Sequence, residues 1–211
     1  GIGAICHTLN PRLFAEQLVY IINHAEDKIM SVDLTFVPLL EALADKLPSI
    51  KKYIILTNDE HMPDTALANA VAYESWIAAH DSDFRWLSFD ENTAAGLCYT
   101  SGTTGNPKGV LYSHRSNVLH GMMGNQPDVL GLTSKHTVLP IVPLFHANAW
   151  SLTFAAPAAG ASLVMPGSGM DGKSIYELLD AEKVNVSAAV PTVWLGLLQH
   201  LEENKLTLPY L

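Results

Sequence analysis

The chain has 211 residues, 48% hydrophobic and 16% charged, enough apolar material for a sizeable core and too little charge for long disordered tails. Its formal net charge is −9 with no basic cluster, which argues against nucleic acid as a main partner. No signal peptide and no apolar run long enough to span a bilayer are visible, which points to a cytoplasmic protein.

From the N-terminus, Ile2 to Cys6 is a short apolar run, and Phe14, Leu18, Ile21, Ile22 and Ala25 give a helical stripe. Lys28 to Asp33 reads as a strand, Phe36 to Leu47 as a helix with Leu39, Leu40 and Leu43 inward, and Tyr53 to Thr57 as a strand. This β-α-β-α-β order predicts parallel strands joined by right-handed crossovers. A helix is expected near Tyr73 to Ala79. The two cysteines, Cys6 and Cys98, sit in apolar segments and are expected as reduced core thiols.

The apolar segment Ala94–Tyr99 reads as a buried strand and leads into Thr100-Ser101-Gly102-Thr103-Thr104-Gly105-Asn106-Pro107-Lys108-Gly109. Val110-Leu111-Tyr112 reads as the next strand, so this run is a strand-to-strand turn. Its backbone N–H groups, hydroxyls and one ammonium can converge on a single anion, best a nucleotide polyphosphate. It differs from a Walker loop, because Lys108 precedes Gly109 rather than Ser or Thr and no helix can begin before Ser113. A polar surface hairpin is the plain alternative.

Ser113 is placed to cap a helix through Val118, Leu119, Met122 and Met123. Thr137 to Pro143 is a strand, His146 to Ala159 helix-like, Ala161 to Met165 a strand and Pro166 to Gly172 a glycine-rich turn. Ile175, Leu178 and Leu179 mark a helix, Val184 to Val190 a strand, and Trp194, Leu197, Leu198 and Leu201 a last helix. The predicted fold is α/β, with mainly parallel sheets covered by helices. The chain divides into a segment 1–95 and a segment 96–211 that carries the phosphate-type loop.

The run Tyr99–Val110 resembles the phosphate-binding signature of the adenylate-forming enzymes, which include acyl-CoA synthetases, aryl-CoA ligases and luciferases. Pro143-Leu144-Phe145-His146-Ala147-Asn148-Ala149-Trp150 is similar to the His-containing motif of that family. Its form is that of medium- and long-chain fatty acyl-CoA synthetases and their short thio-acid relatives. Val190-Pro191-Thr192-Val193-Trp194 resembles the strand-to-helix junction that follows. The resemblance implies two α/β subdomains from a large N-terminal domain, both parts of one AMP-binding domain.

It further implies ATP, Mg²⁺ and CoA as cofactors or substrates, and a small-molecule carboxylic acid as the partner to be activated. A homodimer is compatible with it and not fixed by it. Thr100, Ser101, Gly102, Thr103, Thr104 and Gly105 would wrap the β- and γ-phosphates, with the Thr104 hydroxyl the one assigned to the metal. Lys108 would steady the loop or the leaving pyrophosphate; a solvated turn lysine is the alternative. His146 would lie near the substrate carboxylate and α-phosphate as the catalytic candidate, or be a structural histidine.

Phe145 and Trp150 would flank His146 at an apolar tunnel; Trp150 would gate or line it, on one face with His146 if the two share a helix, unless it is a core ring. Thr192 would cap the last helix or face the acyl pocket, and Trp194 is expected in the core. His114 and Arg115 are expected as surface or structural residues. The motifs that carry the ribose-binding aspartate, the Mg²⁺-holding glutamate and the C-terminal catalytic lysine have no counterpart here. The chain is therefore expected to be an internal piece of a longer acid–CoA ligase, inactive alone. An aryl-CoA ligase, a luciferase-like enzyme or a non-catalytic folding module are the alternatives.

Overall fold

The computed structural model describes residues 2–100 and 105–211. Strand β1, Cys6–His7, is followed by helix α1, Ala15–His24. The helix starts where Gln17 Oε1 accepts from the Phe14 N–H at 3.3 Å, and it buries Leu18, Ile21 and Ile22. Phe14 does not join that stripe. It occupies the cap position, before helical periodicity sets the direction of its side chain, and is 78% exposed.

Strand β2, Ile29–Val32, leads through a short 3-10 turn started by Asp33 into α2, Val37–Leu43, and then into β3, Lys52–Ile55. A strand not foreseen from the sequence, β4 at Ala70–Ala72, precedes α3, Tyr73–Ala78. The first sheet has the order β2-β3-β4 and is parallel throughout, with Met30 opposite Tyr53 and Ile54 opposite Val71. Leu18, Ile22, Val32, Leu40, Leu43 and Ile55 form its core.

The β-α-β-α-β order predicts β1 in this sheet, but β1 belongs to another. β1 pairs in parallel with β5, Ala94–Thr100, Cys6 opposite Gly96 and His7 opposite Leu97. A two-residue strand has too little alternating pattern to select its partner, so long-range pairing decides. Cys6 is accordingly exposed, and only Cys98 is a buried thiol. Strand β6, Lys108–Ser113, completes the order β1-β5-β6.

Helix α4, His114–Gly124, starts at Ser113, whose Oγ accepts from Ser116 N–H at 3.1 Å. It turns Gly121 and Gly124 inward and leaves Val118, Leu119, Met122 and Met123 exposed. After β7, Thr137–Pro140, comes a one-turn segment α5, Ala147–Trp150, and then α6, Leu152–Ala159. Strand β8, Ser162–Leu163, helix α7, Gly172–Ala181, strand β9, Val186–Ala188, and helix α8, Pro191–Asn204, follow.

The third sheet has the order β8-β7-β9, again parallel, with Val138 opposite both Leu163 and Val186. One side of it packs on Leu152, Ala155 and Ala156, the other on Ile175, Leu179 and Leu197. Trp194 packs against the second of these clusters, as expected of a core ring. The chain is thus α/β with mainly parallel sheets covered by helices. It forms two compact units, one built on Leu9–Ser88 with Tyr99–Val110, the other on Gly3–Thr8, Phe89–Cys98 and Leu111–Leu211.

Candidate functional site

The phosphate-type run is a link between two strands, as its sequence predicts. Thr100 ends β5, and Lys108 begins β6. Ser101, Gly102, Thr103 and Thr104 lie outside the described residues. Gly105 has φ +86° with open space around it, a conformation that side chains resist and glycine adopts freely. Thr100 and Lys108 are exposed, and Thr100 Oγ1 reaches the Lys108 carbonyl oxygen only at 3.5 Å.

The strand that feeds the run is held from outside the motif. His24 Nδ1 lies 2.7 Å from Tyr99 Oη, and the His24 ring also stacks on Tyr20. Burial, then the neighbouring Tyr20 and Asp27, pushes the Tyr99 phenol above its ordinary value. A phenol kept protonated has an O–H to donate to the ring nitrogen that faces it. Sequence reasoning missed His24, because its only signal is a histidine near the end of a helix far from the motif.

Arg115 pairs with Glu91 at 2.5 Å, its backbone N–H donates to the Glu91 carbonyl, and His114 packs against Phe89. Both residues that follow the run are therefore engaged structurally.

The second motif has an unusual backbone. Ala147, Asn148, Ala149, Trp150 and Ser151 have φ of 46°, 50°, 54°, 55° and 63°, so α5 is a turn of left-handed sense. Each L-residue in such a helix costs roughly 1–2 kcal/mol, and the turn must be held by its surroundings. His146 precedes it with extended backbone. His146 and Trp150 therefore do not share a right-handed helix, the condition for placing them on one face. The turn reverses sense, so the ordinary spacing of four residues does not stack the two side chains.

Two side chains of this turn are buried, Asn148 at 7% and Ser151 at 6% exposure, whereas Trp150 is 44% exposed. Asn148 Oδ1 accepts from the buried Cys98 Sγ–H at 3.3 Å. Burial, with the Cys98 thiol as a second cause, raises the Tyr112 phenol. Phe145 is half-buried and His146 exposed.

Beside the turn is an open cavity of about 260 Å³, lined by His120, Met123, Gly124, Val129, Leu130, Trp150, Ser151, Leu152 and Ala155. Its wall is almost wholly apolar; His120 and the Ser151 hydroxyl are its polar side chains. Close packing of α4 on α6 makes it. A Cβ on Gly121 would sit 3.9 Å from the Ala155 backbone, and one on Gly124 3.8 Å from Ala155 Cβ. Of the residues expected at an acyl pocket, only Trp150 lines this cavity; Phe145, His146 and Thr192 do not.

Thr192 is exposed at the second position of α8 and caps nothing, because the cap position belongs to Val190, which has no side-chain hydrogen bond to offer. Among the described residues no group of three or more His, Cys, Asp or Glu could hold a metal ion. No helix among them is long and apolar enough to cross a membrane.

The sequence profile described as AMP-binding enzyme matches residues 1–209. A medium-chain-fatty-acid–CoA ligase of Ectopseudomonas oleovorans is 48% identical over 198 residues, 94% of this chain and 36% of that protein. A 3-methylmercaptopropionyl-CoA ligase of Ruegeria lacuscaerulensis is 47% identical over 200 residues, 95% of this chain and 37% of that protein. The chain thus spans little more than a third of the curated relatives it matches. Among solved structures, an anthranilate CoA ligase in complex with anthranoyl-AMP superposes with a TM-score of 0.81 at 22% identity, over 99% of this chain and 39% of that one.

Proposed function

The chain belongs to the AMP-binding enzyme family, and on that premise we propose that it is part of an acid–CoA ligase that forms AMP. The whole enzyme joins a carboxylate oxygen of a fatty or similar acid to the α-phosphorus of ATP and expels pyrophosphate. The CoA thiol then attacks the acyl carbonyl carbon, and AMP leaves. The observation that carries this reading is the apolar cavity beside Trp150, directly after the His146 motif. A cavity with so few polar groups suits an alkyl tail and leaves the charged chemistry to its rim.

In this reading Thr100, Ser101, Gly102, Thr103, Thr104, Gly105 and Lys108 hold the β- and γ-phosphates while negative charge shifts onto the leaving pyrophosphate. His146 orients the carboxylate at the α-phosphate. Trp150 lines the cavity for the acyl tail, whereas Phe145 and Thr192, which do not line it, are assigned to acid binding by the family likeness alone. By the family likeness the metal is assigned to the Thr104 hydroxyl and the nucleotide's own phosphates, and it would neutralise phosphate charge when bound.

We further place the enzyme in the cytoplasm on the strength of the family likeness alone, a likeness that a homodimer fits and does not fix. The test is pyrophosphate release by the full-length protein with ATP, Mg²⁺, CoA and butanoate, octanoate, hexadecanoate or benzoate. Acid-dependent release with an aliphatic preference supports the reading. A benzoate preference turns it into an aryl-CoA ligase, and no release with any acid overturns it.

A further inference from the structure

We propose that Asn148 is a positioning residue, which fixes the left-handed turn between His146 and Trp150 and thereby sets the acid selectivity of the site. The proposal rests on the ligase reading for what those two side chains act on, but the clamp itself stands on geometry alone. Among the described residues Asn148 and Ser151 are the buried polar side chains. A buried amide is retained where its hydrogen bonds specify one conformation. Asn148 Oδ1 accepts from Cys98 Sγ–H at 3.3 Å, and its backbone oxygen accepts from Thr153 Oγ1 and from Ser151 N–H, each at 3.2 Å.

Strand β5 is shaped to receive that amide. A Cβ on Gly96 would stand 2.9 Å from Asn148 Nδ2, so the glycine leaves the room that the side chain takes. The segment is tied on the other side of His146 as well. Thr8 Oγ1 donates to the Leu144 carbonyl at 2.9 Å and lies 3.5 Å from Cys98 Sγ. Thr8 and Cys98 thus grip residues 144 and 148, and His146 lies midway between.

The composition of the turn makes Asn148 its natural anchor. Asparagine tolerates left-handed φ better than other residues bearing a side chain, whereas Ala147, Ala149, Trp150 and Ser151 have little such tolerance. Without the clamp the turn loses the contacts that hold it against the right-handed alternative. Trp150 would then leave its place in the cavity wall, and His146 its place at the head of the turn. The phosphate-type run, elsewhere in the chain, would be untouched.

The test compares Asn148→Ala, Cys98→Val and Cys98→Ser in the full-length enzyme, with butanoate, octanoate and hexadecanoate as acids. Asn148→Ala and Cys98→Val should raise KM for the preferred acid about tenfold and flatten the preference among the three, with KM for ATP changed less than about twofold. Cys98→Ser keeps a donor toward Asn148 Oδ1 and should restore the preference. Loss of melting temperature with selectivity intact, or an equal loss on all three acids, would overturn the clamp.

A second measurement needs no turnover. In NMR spectra of the full-length enzyme labelled at His and Trp, recorded without substrates, Cys98→Val should shift the His146 ring and Trp150 indole resonances, and Cys98→Ser should leave them in place. If the full-length enzyme activates none of the acids, the ligase reading fails and the spectra still decide the clamp. Unchanged His146 and Trp150 resonances in Cys98→Val overturn it.

Discussion

Residues that touch substrate and residues that merely fold should respond differently to truncation, and Trp150 is the clearest case. At 44% exposure it is not a core ring, and it lines an apolar cavity. Trp150→Ala in the full-length enzyme should cost less than the roughly 3–5 kcal/mol of a fully buried tryptophan. It should instead change chain-length preference in a competition between octanoate and hexadecanoate. A large fall in melting temperature with unchanged preference would remove Trp150 from the acyl site. For Thr104 the proposed role is a hydroxyl donated to a phosphate oxygen. Losing such a charge-assisted contact costs about 1.5–3 kcal/mol, so Thr104→Ala should slow adenylation by roughly ten- to a hundredfold. Single-turnover adenylate formation measures this directly, and a full rate would return the run to an ordinary polar hairpin.

At the scale of elements, helix caps and close helix approaches give the sharpest expectations. Helices α7 and α8 meet at two glycines that are not equivalent. A Cβ on Gly172 would collide with the Gly196 carbonyl oxygen, which is backbone and cannot swing aside, whereas a Cβ on Gly196 meets nothing within 4 Å. Gly172→Ala should therefore destabilise by about 1–3 kcal/mol. Gly196→Ala should be neutral or stabilise by up to about 1 kcal/mol through helix propensity. Paired urea melts of the two variants test the asymmetry, and equal effects would refute it. Asp171 caps α7 by accepting from Lys173 and Ser174 N–H and from the Ser174 hydroxyl. Those hydrogen bonds, the Ser174 side chain first, hold its carboxyl below the usual carboxylate range. A depressed folded-state value means that the stabilisation is present above the unfolded carboxylate pKa and is lost as pH falls through the folded one. Asp171→Asn should thus lower the melting temperature at neutral pH and converge with the parent in strong acid. Such local signals were legible in the sequence: Ser113 reads as a cap and is one. The left-handed turn was not, because Ala-Asn-Ala-Trp carries no glycine to announce positive φ, and buried partners on β5 impose it.

Across the whole chain, the alternation of strands and helices was enough to give an α/β fold, since period-2 and period-3.6 apolar patterns report each element's own face. Sheet membership was not, as β1 shows by leaving its sequence neighbours to pair with β5. Pairing across some ninety residues is settled by the packing of the complete sheet, which no local window contains. The site divides along the same line. The phosphate-type run and the His146 motif stand out because their residue types are chemical, while His24, Cys98 and Leu130 are ordinary residues that matter only through position. A single run of chemical residues does not make a catalyst, and the last expectation follows from that. The chain spans 36% of the medium-chain ligase it resembles over 198 residues. Adenylation must hold a carboxylate against a polyphosphate, and the attraction that offsets their repulsion comes from groups that converge on one point. The exposed Lys108 is the one cation that the phosphate-type run itself contributes. The purified 211-residue chain, incubated with ATP, Mg²⁺, CoA and octanoate, should therefore release no pyrophosphate above background, even under conditions in which the full-length protein is expected to. Steady release by the isolated chain would mean that the residues described here already form a complete adenylation site.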